Sequence, residues 1–312
     1  MFGALFRLYS IEYDDEHQLN VLKLTLCNDN DYDLKDMYDY MTQEYLKDEI
    51  SLISLGAILF EMGLYDKAEK YYKRLLNSLD DGDKHIHLCY NDLGAIANER
   101  GNYNLAIEYH KKALDIELNT IPVNEKDVCY SYANLGTSYR RKHMTKEALD
   151  CYDKVLKMWK ASLGHDHPNV AIIYNYVGKC YKDEKNYSLA LTNYKKGLEI
   201  EKAKLPQNSP HIAESYECMG ELYRCIKKYD LALLYHENAL KIRLVTLSAT
   251  HQQIAQSYMR IGLVYEDKLD FNKAIEFLQK ASNIYSQNSL AQSHSDVVDV
   301  NNAIQRINLK QT

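Results

Sequence analysis

The chain has 312 residues, with 38 Lys and Arg against 44 Asp and Glu and a formal net charge of −6. That acidic balance lacks the basic stripe a nucleic-acid groove needs to release phosphate counterions. Seven cysteines, odd in number and with no CxxC pair, argue for free thiols in a reducing compartment rather than a disulfide framework.

At the N-terminus, Met1 to Phe6 meet Arg7 too early for a secretory apolar segment. Residues 5–13 and 19–26 flank the polar run Asp14-Asp15-Glu16-His17-Gln18, which predicts two strands and a hairpin loop, so that residues 1–33 form a β-hairpin segment. Asn28 to Asp31 lack the glycine and distal glutamate of a calcium loop and read as a turn and cap before a linking helix over residues 34–48. The longest apolar stretch, around Leu52 to Phe60, is far short of a membrane span and belongs to a helix. The expectation is a soluble, cytoplasmic chain without membrane contact, in which the sequon Asn186-Tyr187-Ser188 is accidental.

Residues 49–285 are periodic. Gly94, Gly136, Gly178, Gly220 and Gly262 follow one another at 42 residues, with Gly56 38 residues ahead of them. Ala68, Ala106, Ala148, Ala190, Ala232 and Ala274 form a second ladder, and Tyr90, Tyr132, Tyr174, Tyr216 and Tyr258 a third, four residues before each glycine of the regular series. Self-similarity at this period means one supersecondary unit stacked six times. Within a unit, Val170, Ile173, Tyr174, Val177, Gly178 and Tyr181 mark one helical stripe opened by Pro168. Lys182 to Asn186 turn the chain, and Tyr187, Ala190, Leu191, Tyr194 and Leu198 mark a second helix. Gly178 and Ala190 are expected to let the two helices approach closely, and the tyrosines to fill the wedge between pairs, which suits 28 Tyr against five Phe.

The order Tyr132, Leu135-Gly136, Tyr139, Ala148, Tyr152, echoed at Tyr216, Met219-Gly220, Tyr223, Ala232, resembles the tetratricopeptide repeat. The longer period, with Gly164-His165-Asp166-His167-Pro168 at one junction, is similar to the kinesin-light-chain type. The resemblance implies an all-α fold, a right-handed superhelix (α-solenoid) of six helix-turn-helix repeats over residues 49–285. Residues 1 to about 34 resemble the closing strands of an arginine-type mono-ADP-ribosyltransferase domain, without the segment that would carry its Arg-Ser-Glu-x-Glu set. Over residues 286–312 a polar linker leads to a final helix, about Val297 to Leu309, whose stripe of Val298, Ala303, Ile304 and Ile307 suits a capping role.

Chemistry-bearing motifs are sparse. His85-x-His87 and His165-x-His167 lack cysteine or carboxylate at ligand spacing and read as loop and helix-start residues, so no metal site is assigned. No HExxH, GxSxG, GxxxxGK or strand-borne GxGxxG is present. No catalytic residue or cofactor is expected, and the chain reads as a non-enzyme.

In stacked repeats of the resembled family the first helices line a concave face. The resemblance then points to Asn91, Asn98, Asn134, Thr137, Arg140, Arg141, Asn175, Lys179, Lys182, Glu217, Glu221, Arg224 and Arg260 as groove residues. Asn side chains could hold a peptide backbone, and Arg140, Lys179 and Lys182 could attract carboxylates. The two-carboxylate clamp of chaperone-binding relatives does not occur in register. The leading expectation is a scaffold or adaptor that binds peptide segments of partner proteins, acidic segments among them, with no nucleic-acid or membrane partner. One alternative is a kinesin-light-chain-like cargo adaptor, although residues 1–48 hold no sustained heptads to dock a heavy chain. The other is the C-terminal part of an ADP-ribosyltransferase fusion that lacks the catalytic residues.

Overall fold

The computed structural model describes residues 5–14, 19–27, 53, 56–57, 59–60, 63–80, 82–83, 85–287 and 295–311. The chain divides into two compact units, residues 1–78 and 79–312. In the first unit, strands β1 (Leu5–Asp14) and β2 (Leu19–Cys27) pair antiparallel where the alternation places them, with a register shift between Leu8 and Ser10. The linking helix expected over 34–48 lies outside the described residues. Helix α1 (Tyr65–Ser78) follows, and the Tyr72 hydroxyl donates to the Ile53 carbonyl at 3.2 Å over Gly56.

The second unit holds α2 (Ile86–Glu99), α3 (Tyr103–Asn119), α4 (Glu125–Arg141), α5 (Thr145–Leu163), α6 (Pro168–Asp183) and α7 (Tyr187–Lys204). It continues with α8 (Pro210–Cys225), α9 (Tyr229–Thr246), α10 (Gln252–Asp267), α11 (Phe271–Gln287) and α12 (Ser295–Gln311). Each even-numbered helix from α2 to α10 pairs with the next, and each second helix also packs on the first helix of the following pair. Each burial surface is thus supplied by a neighbour in sequence, as a stacked array requires.

The turn inside each pair follows from helix-end chemistry. Two residues past each first helix the backbone turns left-handed, at Gly101 (φ 73), His143 (φ 62), Lys185 (φ 60), Lys227 (φ 59) and Leu269 (φ 63). His143 N–H donates to the Arg140 carbonyl and Met144 N–H to the Tyr139 carbonyl, both at 2.9 Å, which closes the helix end in a Schellman motif. Gly101 takes this conformation freely, whereas the four side-chain-bearing residues each pay about 1 kcal/mol. Lys185→Gly should therefore raise stability by up to about 1 kcal/mol in urea titration. In three of the five pairs the next residue caps the second helix with its side chain, Asn102 accepting from Leu105 N–H, Asn186 from Leu189 N–H and Asp270 from Lys273 N–H at 3.2–3.3 Å. His167 and His251 do the same for α6 and α10, so these histidines serve as caps.

The ladders occupy distinct places. Ala106, Ala148, Ala190, Ala232 and Ala274 are fully buried between paired helices. Each glycine makes room for the side chain 16 residues on, His110, Tyr152, Tyr194, His236 or Leu278, rather than only bringing two backbones together. A Cβ on Gly136 would stand 2.7 Å from a Tyr152 ring carbon, and Tyr152 is itself fully buried. Gly136→Ala should thus lose about 1–2 kcal/mol, because overpacking outweighs the gain in helix propensity. The ladder tyrosines are half-buried, and lysines lie over Tyr90 (Lys112, 5.8 Å), Tyr132 (Lys154, 4.7 Å), Tyr174 (Lys196, 5.7 Å) and Tyr258 (Lys280, 5.9 Å).

At the end of the array α12 packs on α10 and α11 and buries Val300, Ala303 and Ile307. Val298, expected on that stripe, is 38% exposed, and Val300 takes its place. Arg306 and Lys310 then bind Glu266 of α10 at 2.6 and 2.9 Å. Among the described residues no helix is long and apolar enough to cross a membrane.

Candidate binding groove

Helices α4, α6, α8 and α10 each turn one stripe toward a common furrow of 590 Å³. Six residues expected in the groove line it: Arg140, Lys179, Lys182, Glu217, Glu221 and Arg260. The lining carries five cations (Arg140, Lys179, Lys182, Arg243, Arg260) against three carboxylates (Glu214, Glu217, Glu221), on a chain whose net charge is −6.

Most of these charges are spent inside the protein, between repeats. Arg140 Nη1 meets Asp183 Oδ2 at 2.6 Å, Lys179 Nζ meets Glu214 Oε1 at 2.9 Å, and Arg224 Nε meets Asp267 Oδ2 at 2.7 Å. Arg243 and Arg260 both close on Glu217, and Arg260 lies 3.8 Å from Glu221. Burial opposes ionisation of Glu217, but Arg260 and Arg243 outweigh it and hold the carboxyl at about 2.

The arginine–aspartate pairs form a ladder between successive first helices. Arg140, Lys182 and Arg224 stand 42 residues apart, and the residue 43 further on is Asp183, Cys225 and Asp267 respectively. At the middle rung the carboxylate is missing. Lys182 acts electrostatically on the exposed Cys225 and on Glu221, but forms no ion pair among the described residues. It is half-buried and faces the furrow.

Seven of the expected residues stand elsewhere. Asn98 and Asn175 are only 6% and 2% exposed, so they cannot hold a peptide backbone. Asn98 donates to Ser138 Oγ at 2.8 Å, and Asn175 to Ser215 Oγ at 2.6 Å. Asn91 donates to Ser131 Oγ at 2.7 Å and approaches His110 Nδ1 at 3.1 Å. Arg141 binds Glu99 and the Asn98 carbonyl, while Thr137 bonds the Tyr152 hydroxyl. Asn134 is exposed but does not line the furrow, and neither does Arg224, which is tied to Glu221 and Asp267.

These asparagines reveal a buried junction in register. Asn91, Ser131 and Glu117 bond one another across α2, α3 and α4, and Asn175, Ser215 and Glu201 repeat the set across α6, α7 and α8. Between them the equivalent positions are apolar, Ala133, Trp159 and Ile173, and in the next junction they are Glu217, Arg243 and Ser257. Arg243 therefore reaches the furrow from a second helix, which a first-helix rule misses. Its signal was available, since it lies 26 residues after Glu217, as Glu117 lies after Asn91. Burial pushes Glu117 and Glu201 each up to about 7, and pushes the ring-filling His110 and His236 down to about 4. Among the described residues no group of three or more His, Cys, Asp or Glu is placed to hold a metal.

Antiparallel helix pairs stacked in register, with the first helices facing a shared furrow, define a helical-repeat solenoid. The tetratricopeptide repeat profile matches residues 48–117, 127–203 and 211–287, and the chain belongs to that family. Its fold is similar to that of BtubC (BKLC) from P. vanneervenii, with a TM-score of 0.53 and 22% identity over 74% of this chain and 92% of that one. It is also similar to the nearly identical repeats of a putative kinesin light chain from Podosopora anserina, with a TM-score of 0.50 and 16% identity over 68% of this chain and 100% of that one. A signal transduction ATPase with a tetratricopeptide repeat sensor from Pyrococcus horikoshii gives a TM-score of 0.55 and 20% identity over 88% of this chain and 44% of that one. No curated protein matches the sequence. Proteins built of these repeats generally serve as non-catalytic interaction scaffolds.

Proposed function

We propose that the chain is a non-enzymatic adaptor whose furrow holds an extended segment of a partner protein through its acidic side chains. The observation that carries this reading is the missing rung. In a ladder that otherwise satisfies each cation internally, Lys182 faces the furrow opposite Cys225 instead of an aspartate. A partner's Asp or Glu placed there would supply the absent carboxylate and gain a charge-assisted hydrogen bond. Affinity for one segment is on the order of micromolar, rising where several segments bind together. Buried free thiols at Cys89, Cys129, Cys151, Cys180 and Cys218 suit the reducing cytoplasm as its location.

The test is to select a peptide from an array rich in acidic sequences and titrate it by fluorescence anisotropy. Lys182→Glu, which breaks no ion pair and loses only the longer-range attraction to Glu221, should weaken the selected peptide about tenfold with an unchanged circular dichroism spectrum. Equal affinity in the variant would remove the furrow as the binding site.

A further inference from the structure

The lysines over the ladder tyrosines stand in strict register at 112, 154, 196 and 280, and the one position of that series without a lysine is Asn238. The shorter side chain leaves part of the Tyr216 ring uncovered, and a cavity of 520 Å³ opens there, lined by Asn238 and Tyr216 with Ile212 and Ile242 behind them. This cavity shares no residue with the furrow. On α8, Ile212 and Tyr216 lie on the side opposite Glu214, Glu217 and Glu221, as 100° per residue dictates.

The rim is basic. Lys202 lies 5.1 Å from the Tyr216 ring and Lys241 stands one turn past Asn238, and no carboxylate lines the cavity. Elsewhere on the second helices Lys112, Lys157 and Lys280 pair with the acid four residues before them, whereas Lys202 and Lys241 form no ion pair among the described residues. At the mouth Val245 is 72% exposed and offers an apolar surface.

From this geometry we infer a second docking site, at the ends of α7 and α9, for a short segment of a partner protein in which an aromatic side chain is flanked by carboxylates. The ring would pack on Tyr216, Ile242 and Val245, and the carboxylates would meet Lys202 and Lys241. The charge of the rim selects this occupant over a basic one.

The probe is a blocked pentapeptide with a central benzoylphenylalanine flanked by glutamates, cross-linked by light to the full chain and mapped by mass spectrometry. A lysine-flanked version is the control. Labelling is expected within residues 238–245, at least about fivefold reduced in Val245→Glu and in Lys241→Glu. Both changes are at exposed positions, and thermal unfolding checks that the variants stay folded. Lys182→Glu should leave labelling at 238–245 intact even where it abolishes labelling in the furrow, so the two sites stand or fall separately. Labelling confined to the furrow, labelling indifferent to Val245→Glu, equal labelling by the lysine-flanked probe, or none at all overturns the site.

Discussion

Glu217→Leu should cost about 3–5 kcal/mol and lower the thermal midpoint by roughly 10 °C, the largest single-residue loss expected in the array. Glu217 is the carboxylate on which Arg243 and Arg260 both close, and the Arg243 side chain is only 8% exposed. Without the carboxylate, Arg243 keeps Ser257 Oγ at 2.7 Å and the Gln253 carbonyl at 3.3 Å, too little to offset a buried charge. The protein itself supplies the control. Two repeats earlier the same three positions are Ala133, Trp159 and Ile173, all buried and apolar. Grafting that set as Glu217→Ala, Arg243→Trp and Ser257→Ile should recover most of the loss, because a packed apolar trio replaces the buried Glu217–Arg243 pair while Arg260 keeps Glu221 at 3.8 Å. A triple variant no more stable than Glu217→Leu in guanidinium titration would show that the charge set does more than hold the junction closed.

Glu201→Gln should leave stability unchanged at pH 4 and raise it by up to about 3 kcal/mol at pH 8. The Glu201 carboxyl is fully buried, and burial lifts its pKa from 4.5 to about 7. Between those values the folded chain holds a proton that the unfolded chain has released. Its contribution is therefore intact below pH 4.5 and is lost as pH rises through 7. Glutamine keeps the amide contacts and never ionises. Glu117 should behave in the same way. The histidines work against this trend. His110 and His236 are lowered from 6.5 to about 4, so the unfolded chain binds the extra protons, and stability rises with pH across that interval. Two opposing pairs of nearly equal reach should make the native curve almost flat from pH 4.5 to 6.5 and falling above it. Chemical unfolding across pH, with and without Glu117→Gln and Glu201→Gln, checks both statements.

The fold was legible because one rule recurs. Glycine, alanine and tyrosine at a constant interval located the helix pairs, and the four prolines marked boundaries between repeats. The left-handed turn residues were harder to see, since His143, Lys185, Lys227 and Leu269 have no side-chain chemistry common to all four and are aligned by backbone conformation. For the site, spacing alone could tell which residues leave the packing stripe but not which of those meet a neighbour from the next repeat. Asn91, Asn98 and Asn175 look like groove residues on a single helix, and become junction residues once Ser131, Ser138 and Ser215 arrive 40 positions later. Pairing each position with its counterpart in the adjoining repeat, rather than reading helices singly, would have exposed both the asparagine sets and the empty rung at Lys182.

One dry seam among wet ones means that this spring is not uniformly stiff. Around Trp159 consecutive coils are glued by aromatic and aliphatic mass, whereas the coil boundary holding Glu201 relies on one proton staying put. In mildly alkaline solution amide exchange should therefore accelerate first on either side of that boundary. A visitor lying from Lys179 to Glu214 would straddle it like a splint, so occupancy ought to be felt as rigidity well before any change of shape.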